Sequence, residues 1–140
     1  MNVLVDTSIW SLAFRRKPEH LNAREHRLVG ELGDLVRDGR AAIIGMIRQE
    51  LLSGIKTSAQ FEQLRRTLAA FRDEPVGTED HEAAAQAANA CRAQGIAVSA
   101  VDMLICSVAH RRGMPVFTTD PDFSNYARAL MLKIYPAAGA

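Results

Sequence analysis

Asn2-Val3-Leu4-Val5-Asp6-Thr7-Ser8, continuing as Ile9-Trp10-Ser11-Leu12-Ala13-Phe14, is a short apolar run stopped by an acid and followed by a segment of helical spacing. The run predicts a strand at residues 2–5, and Asp6 or Thr7 can cap a short helix over 8–14. The same alternation continues outward along the chain. Strands are expected at 41–44, 74–76, 115–118 and 132–135. Helices are expected at 21–36, ended by Asp38-Gly39, and at 46–52, interrupted by Ser53-Gly54. Phe61, Leu64, Leu68 and Phe71 recur at helical steps and predict one apolar helix face. Thr78 is expected to cap a helix over 79–92, with Glu79 and Asp80 suiting its positive end. Ser99 caps another over 100–112, closed by Gly113, and a last short helix covers 121–128. Strands alternating with helices predict an α/β fold: a three-layer α/β/α sandwich with a five-stranded, mostly parallel sheet and helices on both faces.

Length and composition agree with one such domain spanning residues 1–140. A chain of 140 residues and 48% hydrophobic composition can bury about two-thirds of its unfolded surface, so it is neither disordered nor a multidomain machine. Seventeen Lys and Arg against sixteen Asp and Glu leave a net charge of +1, which gives no bulk electrostatic reason to expect a nucleic-acid partner. Cys91 and Cys106 have neither CxxC spacing nor a secreted disulfide pattern, so buried thiols in a reducing compartment are expected. Asp6 stops the N-terminal apolar run before it could form a signal-peptide core, and the apolar stretch 41–47 is too short to span a membrane. A cytoplasmic protein is expected.

Ligands of parallel α/β sheets bind beyond the carboxyl ends of the strands, and the acids collect there. Asp6 directly follows the first strand. Glu50 lies in the second turn of the helix leaving the second. Asp102 opens the helix that feeds the fourth strand, and Asp120 follows that strand, with Asp122 two residues on. Each acid also has a purely structural reading. Asp6 and Asp120 can be helix caps, Asp102 can complete a capping box with Ser99, and Glu50 can be a solvated surface acid. A cap at this edge can still present an oxygen to a metal, so the two readings are compatible.

Two carboxylates about 4 Å apart repel by roughly 4 kcal/mol at an effective dielectric near 20, so a group of them calls for a divalent cation. Oxygen ligands without a neighbouring Cys or His select Mg²⁺ or Mn²⁺ over zinc. His20, His26 and His81 fall on polar helix surfaces, and His110 falls near a helix C-terminus. A hard ion held this way activates water and stabilises charge on a phosphodiester, so nuclease or phosphatase chemistry is expected. The Asp-x-Asp of haloacid-dehalogenase-type phosphatases and the acidic pair of receiver domains are missing after the first strand, as are the GxGxxG and Walker loops of nucleotide sites.

Val3-Leu4-Val5-Asp6-Thr7-Ser8, Glu50-Leu51-Leu52-Ser53-Gly54, Asp102-Met103-Leu104-Ile105 and Thr118-Thr119-Asp120-Pro121-Asp122-Phe123 together resemble the PIN-domain family over nearly the whole chain. The length and the Asp-Thr-Ser start resemble its VapC-type toxins of toxin–antitoxin pairs. The resemblance implies a Mg²⁺- or Mn²⁺-dependent endoribonuclease that cuts RNA phosphodiester bonds with metal-activated water, leaving 3′-hydroxyl and 5′-phosphate ends. It implies Asp6 and Asp102 as metal ligands, Glu50 and Asp120 as further ligands or water-orienting groups, and Thr7 or Ser8 as supporting or substrate contacts. Asp122 matches a variable position and is an auxiliary candidate.

The resemblance further implies a cognate antitoxin and a homodimer or toxin–antitoxin hetero-oligomer, for which the apolar faces near 46–55 and 60–72 offer surface. A housekeeping RNA-processing nuclease and a non-catalytic partner-binding module are the alternatives. Arg15-Arg16-Lys17 is expected to be a solvated turn far from the acids, and Trp10 a core residue. Setting Asp6, Glu50, Asp102 and Asp120 aside as metal-neutralised leaves seventeen bases against twelve acids, or +5, which is compatible with RNA; fourteen of the bases are arginine, suited to phosphate.

Overall fold

The computed structural model describes residues 1–136. Residues 137–140 of the expected domain lie outside the described residues. In chain order the elements are β1 (Val3–Val5), α1 (Thr7–Phe14), a 3-10 turn (Pro18–His20), α2 (Ala23–Arg37), β2 (Ala41–Ala42), α3 (Gly45–Leu52), α4 (Ser58–Leu68), α5 (Thr78–Ala93), α6 (Ala100–Arg111), β3 (Val116–Phe117) and α7 (Asp122–Leu130).

The strands form a parallel sheet in the order β2-β1-β3. Val3, Leu4 and Val5 are all fully buried. Successive strand residues point to opposite faces, so burial of all three means that both faces of β1 are covered. The helices pack in two groups: α1 against α2 and α3, with α3 against α4, and α5 against α6 and α7. Among the described residues no helix is long and apolar enough to cross a membrane. Trp10 lies in the core, whereas Arg15, Arg16 and Lys17 are exposed.

The expected five-stranded sheet is corrected to three strands. In their place are isolated parallel bridges: Asp73, just before the segment expected at 74–76, pairs with Ile43, and Ile134, within the segment expected at 132–135, pairs with Val116. Glu74 N–H donates to the Ile43 carbonyl, but the next residue is Pro75, which has no N–H to extend the ladder. At the other edge, Val116 N–H donates to Lys133 O and Tyr135 N–H to Val116 O, after which Pro136 likewise lacks a donor. Spatially the five segments still lie in the order Asp73, β2, β1, β3, Ile134.

Two further expectations are corrected. Phe71 lies beyond the C-terminal end of α4, so it does not extend the Phe61-Leu64-Leu68 face; its ring packs edge-on against Trp10 with centroids 4.9 Å apart. Leu64 and Leu68 are buried, while Phe61 remains 39% exposed. The cap of α5 is Gly77, with Thr78 as the first helical residue. Asp80 explains the change: its Oδ2 accepts from Gly77 N–H at 3.0 Å, so an acid inside the helix satisfies the cap.

Asp80 is only 5% exposed, and it receives a two-pronged contact from Arg112, Nη1 to Oδ1 at 2.9 Å and Nη2 to Oδ2 at 3.1 Å. Arg111 Nε reaches Oδ1 at 3.1 Å. These bonds tie the start of α5 to the end of α6. The Arg112 hydrogen bonds, helped by Gly77 N–H and both guanidinium charges, hold the Asp80 carboxyl well below the usual carboxylate range. A depressed carboxyl contributes stability that is present above the ordinary aspartate value near 4 and lost as pH falls through and below it. Asp80→Asn is expected to cost about 2 kcal/mol and lower the melting temperature by about 6 °C at neutral pH, with the deficit shrinking below pH 4. Thermal melts of both proteins across pH check this; equal melting temperatures at pH 7 would show that the cluster is not stabilising.

Candidate metal centre

Asp6 is placed by the sheet itself. Its N–H donates to Phe117 O at 2.8 Å, which brings the carboxyl ends of β1 and β3 side by side. It occupies the cap position of α1, yet its side chain makes no capping bond. Its Oδ2 instead accepts from Thr118 Oγ1 at 2.7 Å and Ser8 Oγ at 2.9 Å. Ser8 Oγ also accepts from Thr119 N–H at 3.1 Å, and Thr118 Oγ1 from Asp120 N–H at 3.0 Å, so the loop after β3 is pinned to the start of α1.

The other acids arrive from separate elements. Ser99 Oγ accepts from Asp102 N–H at 3.1 Å, fixing the first turn of α6. The reciprocal half of the expected capping box does not form: Asp102 Oδ2 accepts from Tyr126 O–H at 2.9 Å. Asp120 Oδ1 accepts from Asp122 N–H at 2.9 Å and so helps to start α7. One oxygen from each of Asp102, Asp120 and Asp122 lies within 4.8 Å of the others. Glu50 extends from α3, where its Oε1 accepts from Thr7 Oγ1 at 2.7 Å. The structure therefore gathers Asp102, Asp120 and Asp122 into one cluster, sets Asp6 beside it through Thr118, and links Glu50 to the residue after Asp6.

A common pattern runs through these contacts. The side chains of Asp6, Glu50, Asp102 and Asp120 are each held by neutral O–H or N–H donors. Neutral donors orient a carboxylate without cancelling its charge. None of the ion pairs among the described residues involves these four acids or Asp122. The contrast with Asp80 is direct, since both Asp6 and Asp80 are buried but only Asp80 meets guanidinium groups.

Burial is the chief cause that raises the Asp102 carboxyl above the ordinary carboxylate range, and the charges of Asp6 and Asp120 add to it against the bonds from Tyr126 and Ser99. The Tyr126 hydroxyl is pushed up, first by burial and then by its bond to Asp102, so it remains a protonated donor. Cys106 is pushed up chiefly by burial and stays a neutral thiol. Cys91 and Cys106 are both buried and free, and all four histidines are exposed. The donors at the cluster are thus carboxylate oxygens alone, whose unbalanced charge fits a hard divalent cation.

Two participants had no assigned role in the sequence. Thr118 stands two residues before Asp120 in the Thr-Thr-Asp motif, which is the signal that could find it. Tyr126 carried no spacing signal, because its contact depends on how α7 lies against the start of α6.

A parallel α/β domain with acids gathered at the carboxyl edge of its sheet is the class that this fold and site define. The chain belongs to the PIN domain family, whose model matches residues 3–129. Among solved structures, FitAcB from Neisseria gonorrhoeae is similar with a TM-score of 0.77 at 20% identity, covering 99% of each chain. VapBC2 from Rickettsia felis, bound to a DNA fragment from their promoter, is similar with a TM-score of 0.75 at 18% identity, over 96% of this chain and 98% of that one. VapBC-5 from Mycobacterium tuberculosis, a member of the VapBC family of toxin–antitoxin systems, gives 0.65 at 21% identity over 95% and 96%. These likenesses show a shared fold. No curated protein matches the sequence.

Proposed function

We propose that this chain is a Mg²⁺- or Mn²⁺-dependent endoribonuclease, the toxin of a toxin–antitoxin pair acting in the cytoplasm. The observation that carries the reading is the Asp102-Asp120-Asp122 cluster, oxygen donors gathered without a neutralising base. PIN-family membership and the toxin–antitoxin complexes among the similar structures support the toxin assignment. A cognate antitoxin is the expected partner, in a homodimer or hetero-oligomer.

Asp6 and Asp102 would be the chief ligands of the ion, with Glu50 and Asp120 as further ligands or water-orienting groups and Asp122, which clusters with Asp102 and Asp120, as an auxiliary. The ion, when bound, supplies an activated water and charge stabilisation at the phosphodiester. Tyr126 holds Asp102 in orientation, Ser8 and Thr118 hold Asp6, and Thr7 holds Glu50. Such fixed orientation spares reorganisation when the substrate arrives.

Purified protein is expected to cleave RNA with Mg²⁺ or Mn²⁺ and to stop when EDTA is added. Cleavage persisting in EDTA would overturn the metal assignment. Induced expression should halt growth, with rescue by a small adjacent reading frame; tolerated expression of an active nuclease would favour a housekeeping role.

A further inference from the structure

We propose that the cavity beside Asp120, between α2, the carboxyl end of β3 and the start of α7, is a subsite for the RNA backbone, with Arg24 as its phosphate contact. The inference rests on the nuclease reading and deepens it. The cavity has a volume of about 300 Å³, and its lining includes Arg24, Thr118, Thr119, Asp120, Ser124 and Tyr135. Thr118 and Asp120 belong to the candidate metal centre, so a chain passing over the acids enters this cavity next.

Its chemistry suits a phosphate. Arg24 is exposed, and among the described residues it makes no hydrogen bond or ion pair, unlike Arg48, Arg111 and Arg112, which are committed to structural contacts. The hydroxyls of Thr119 and Ser124 are likewise without hydrogen bonds among the described residues, leaving neutral donors on the same wall. A second cavity, which includes Asp122, is lined by Gly95, Ile96, Ala97, Asn125 and Tyr126 and has no base. Of these two cavities, only that of Arg24 sets an acid of the cluster beside a guanidinium that makes no ion pair among the described residues. A net charge of +1 provides no strong bulk attraction, so a local guanidinium has to draw in the phosphate flanking the cleaved one.

The test measures binding of a short single-stranded RNA in Mg²⁺ as salt is varied, using the full chain with Asp102→Asn so that cleavage does not intrude. Adding Arg24→Ala is expected to weaken binding about tenfold and to make the log–log salt slope shallower by about 0.7, the value for one phosphate on a single strand. Arg24→Lys should restore the slope but only part of the affinity, because an ammonium loses the planar fork. Arg27→Ala removes the same charge from another exposed, unpaired position on α2 outside the cavity lining, and should leave the slope near that of the parent. An unchanged slope in Arg24→Ala overturns the subsite, and so do equal losses in the Arg24 and Arg27 variants, which would mean bulk charge. If wild-type protein cleaves RNA while Arg24→Ala keeps its affinity and slope, the subsite alone falls. If wild-type protein neither binds nor cleaves RNA, the nuclease reading falls and takes the subsite with it.

Discussion

Asp102→Asn is expected to reduce RNA cleavage by about a thousandfold while raising the melting temperature of the ion-free protein by about 3 °C. The two changes have opposite signs because Asp102 is arranged for charge and not for stability. Its carboxyl is raised by burial and by the charges of Asp6 and Asp120. A carboxyl raised in the folded state contributes stability that is fully present below the ordinary aspartate value near 4 and lost as pH rises through the raised value. At neutral pH the ionised group therefore opposes folding. Asparagine is neutral at every pH, is nearly the same size, and still offers an oxygen to the Tyr126 hydroxyl, so the repulsion disappears while the packing remains. A gain of about 1 kcal/mol is in the usual range for relieving a functional site. The paired measurements are cleavage rate and thermal melting without divalent ions, repeated with excess Mg²⁺, when wild type should recover stability that the variant cannot. Loss of activity together with a fall in melting temperature would show that Asp102 serves the fold instead.

Trp10→Ala is expected to cost about 4 kcal/mol and to lower the melting temperature by about 12 °C. Trp10 is fully buried. Its ring stacks on Phe14 at 5.8 Å and meets Phe71 edge-on at 4.9 Å, so truncation leaves two aromatic rings facing a void. Its Nε1–H donates at 2.9 Å to Val5 O, the carbonyl of the peptide that leads into Asp6. Trp10→Phe separates the two contributions: the ring volume is largely kept, the carbonyl loses its donor, and the cost should fall to about 1–2 kcal/mol. Circular dichroism is the appropriate probe, since Trp10 is the sole tryptophan and its replacement removes the fluorescence signal. A Trp10→Ala protein that melts within 2–3 °C of wild type would show that this core relaxes around the loss.

The elements that sequence reveals here are those specified locally. The apolar run before Asp6 becomes β1, and Ser99 caps α6 as its side chain predicts. The outer strands shrink to single bridges because a proline follows each pairing residue within a step or two, a restriction that counting apolar positions overlooks. The acids are legible from topology, since the carboxyl edge of a parallel sheet is fixed once strand order is known. Their supporting groups are less so. The Tyr126 hydroxyl reaches Asp102 across 24 residues and Thr118 reaches Asp6 across 112, contacts that depend on how side chains are aimed. Glu79 and Asp80 stand in the first turn of α5 as the sequence predicts, but the pairing of Asp80 with Arg111 and Arg112 at the end of α6 depends on how the two helices pack.

The central position of β1 has a temporal consequence. It is synthesised more than a hundred residues before its neighbour β3, which comes at Val116–Phe117. Until that segment emerges from the ribosome, Val3–Val5 has an unpaired edge and Asp6 has no Thr118 to orient it. Parallel pairing over such sequence distances is slow, because a long loop must close before any contact rewards it. Until β3 is made, the nascent chain thus has no assembled acidic edge. If the edge cuts RNA, the ribosome and its message are spared by the order in which the strands appear.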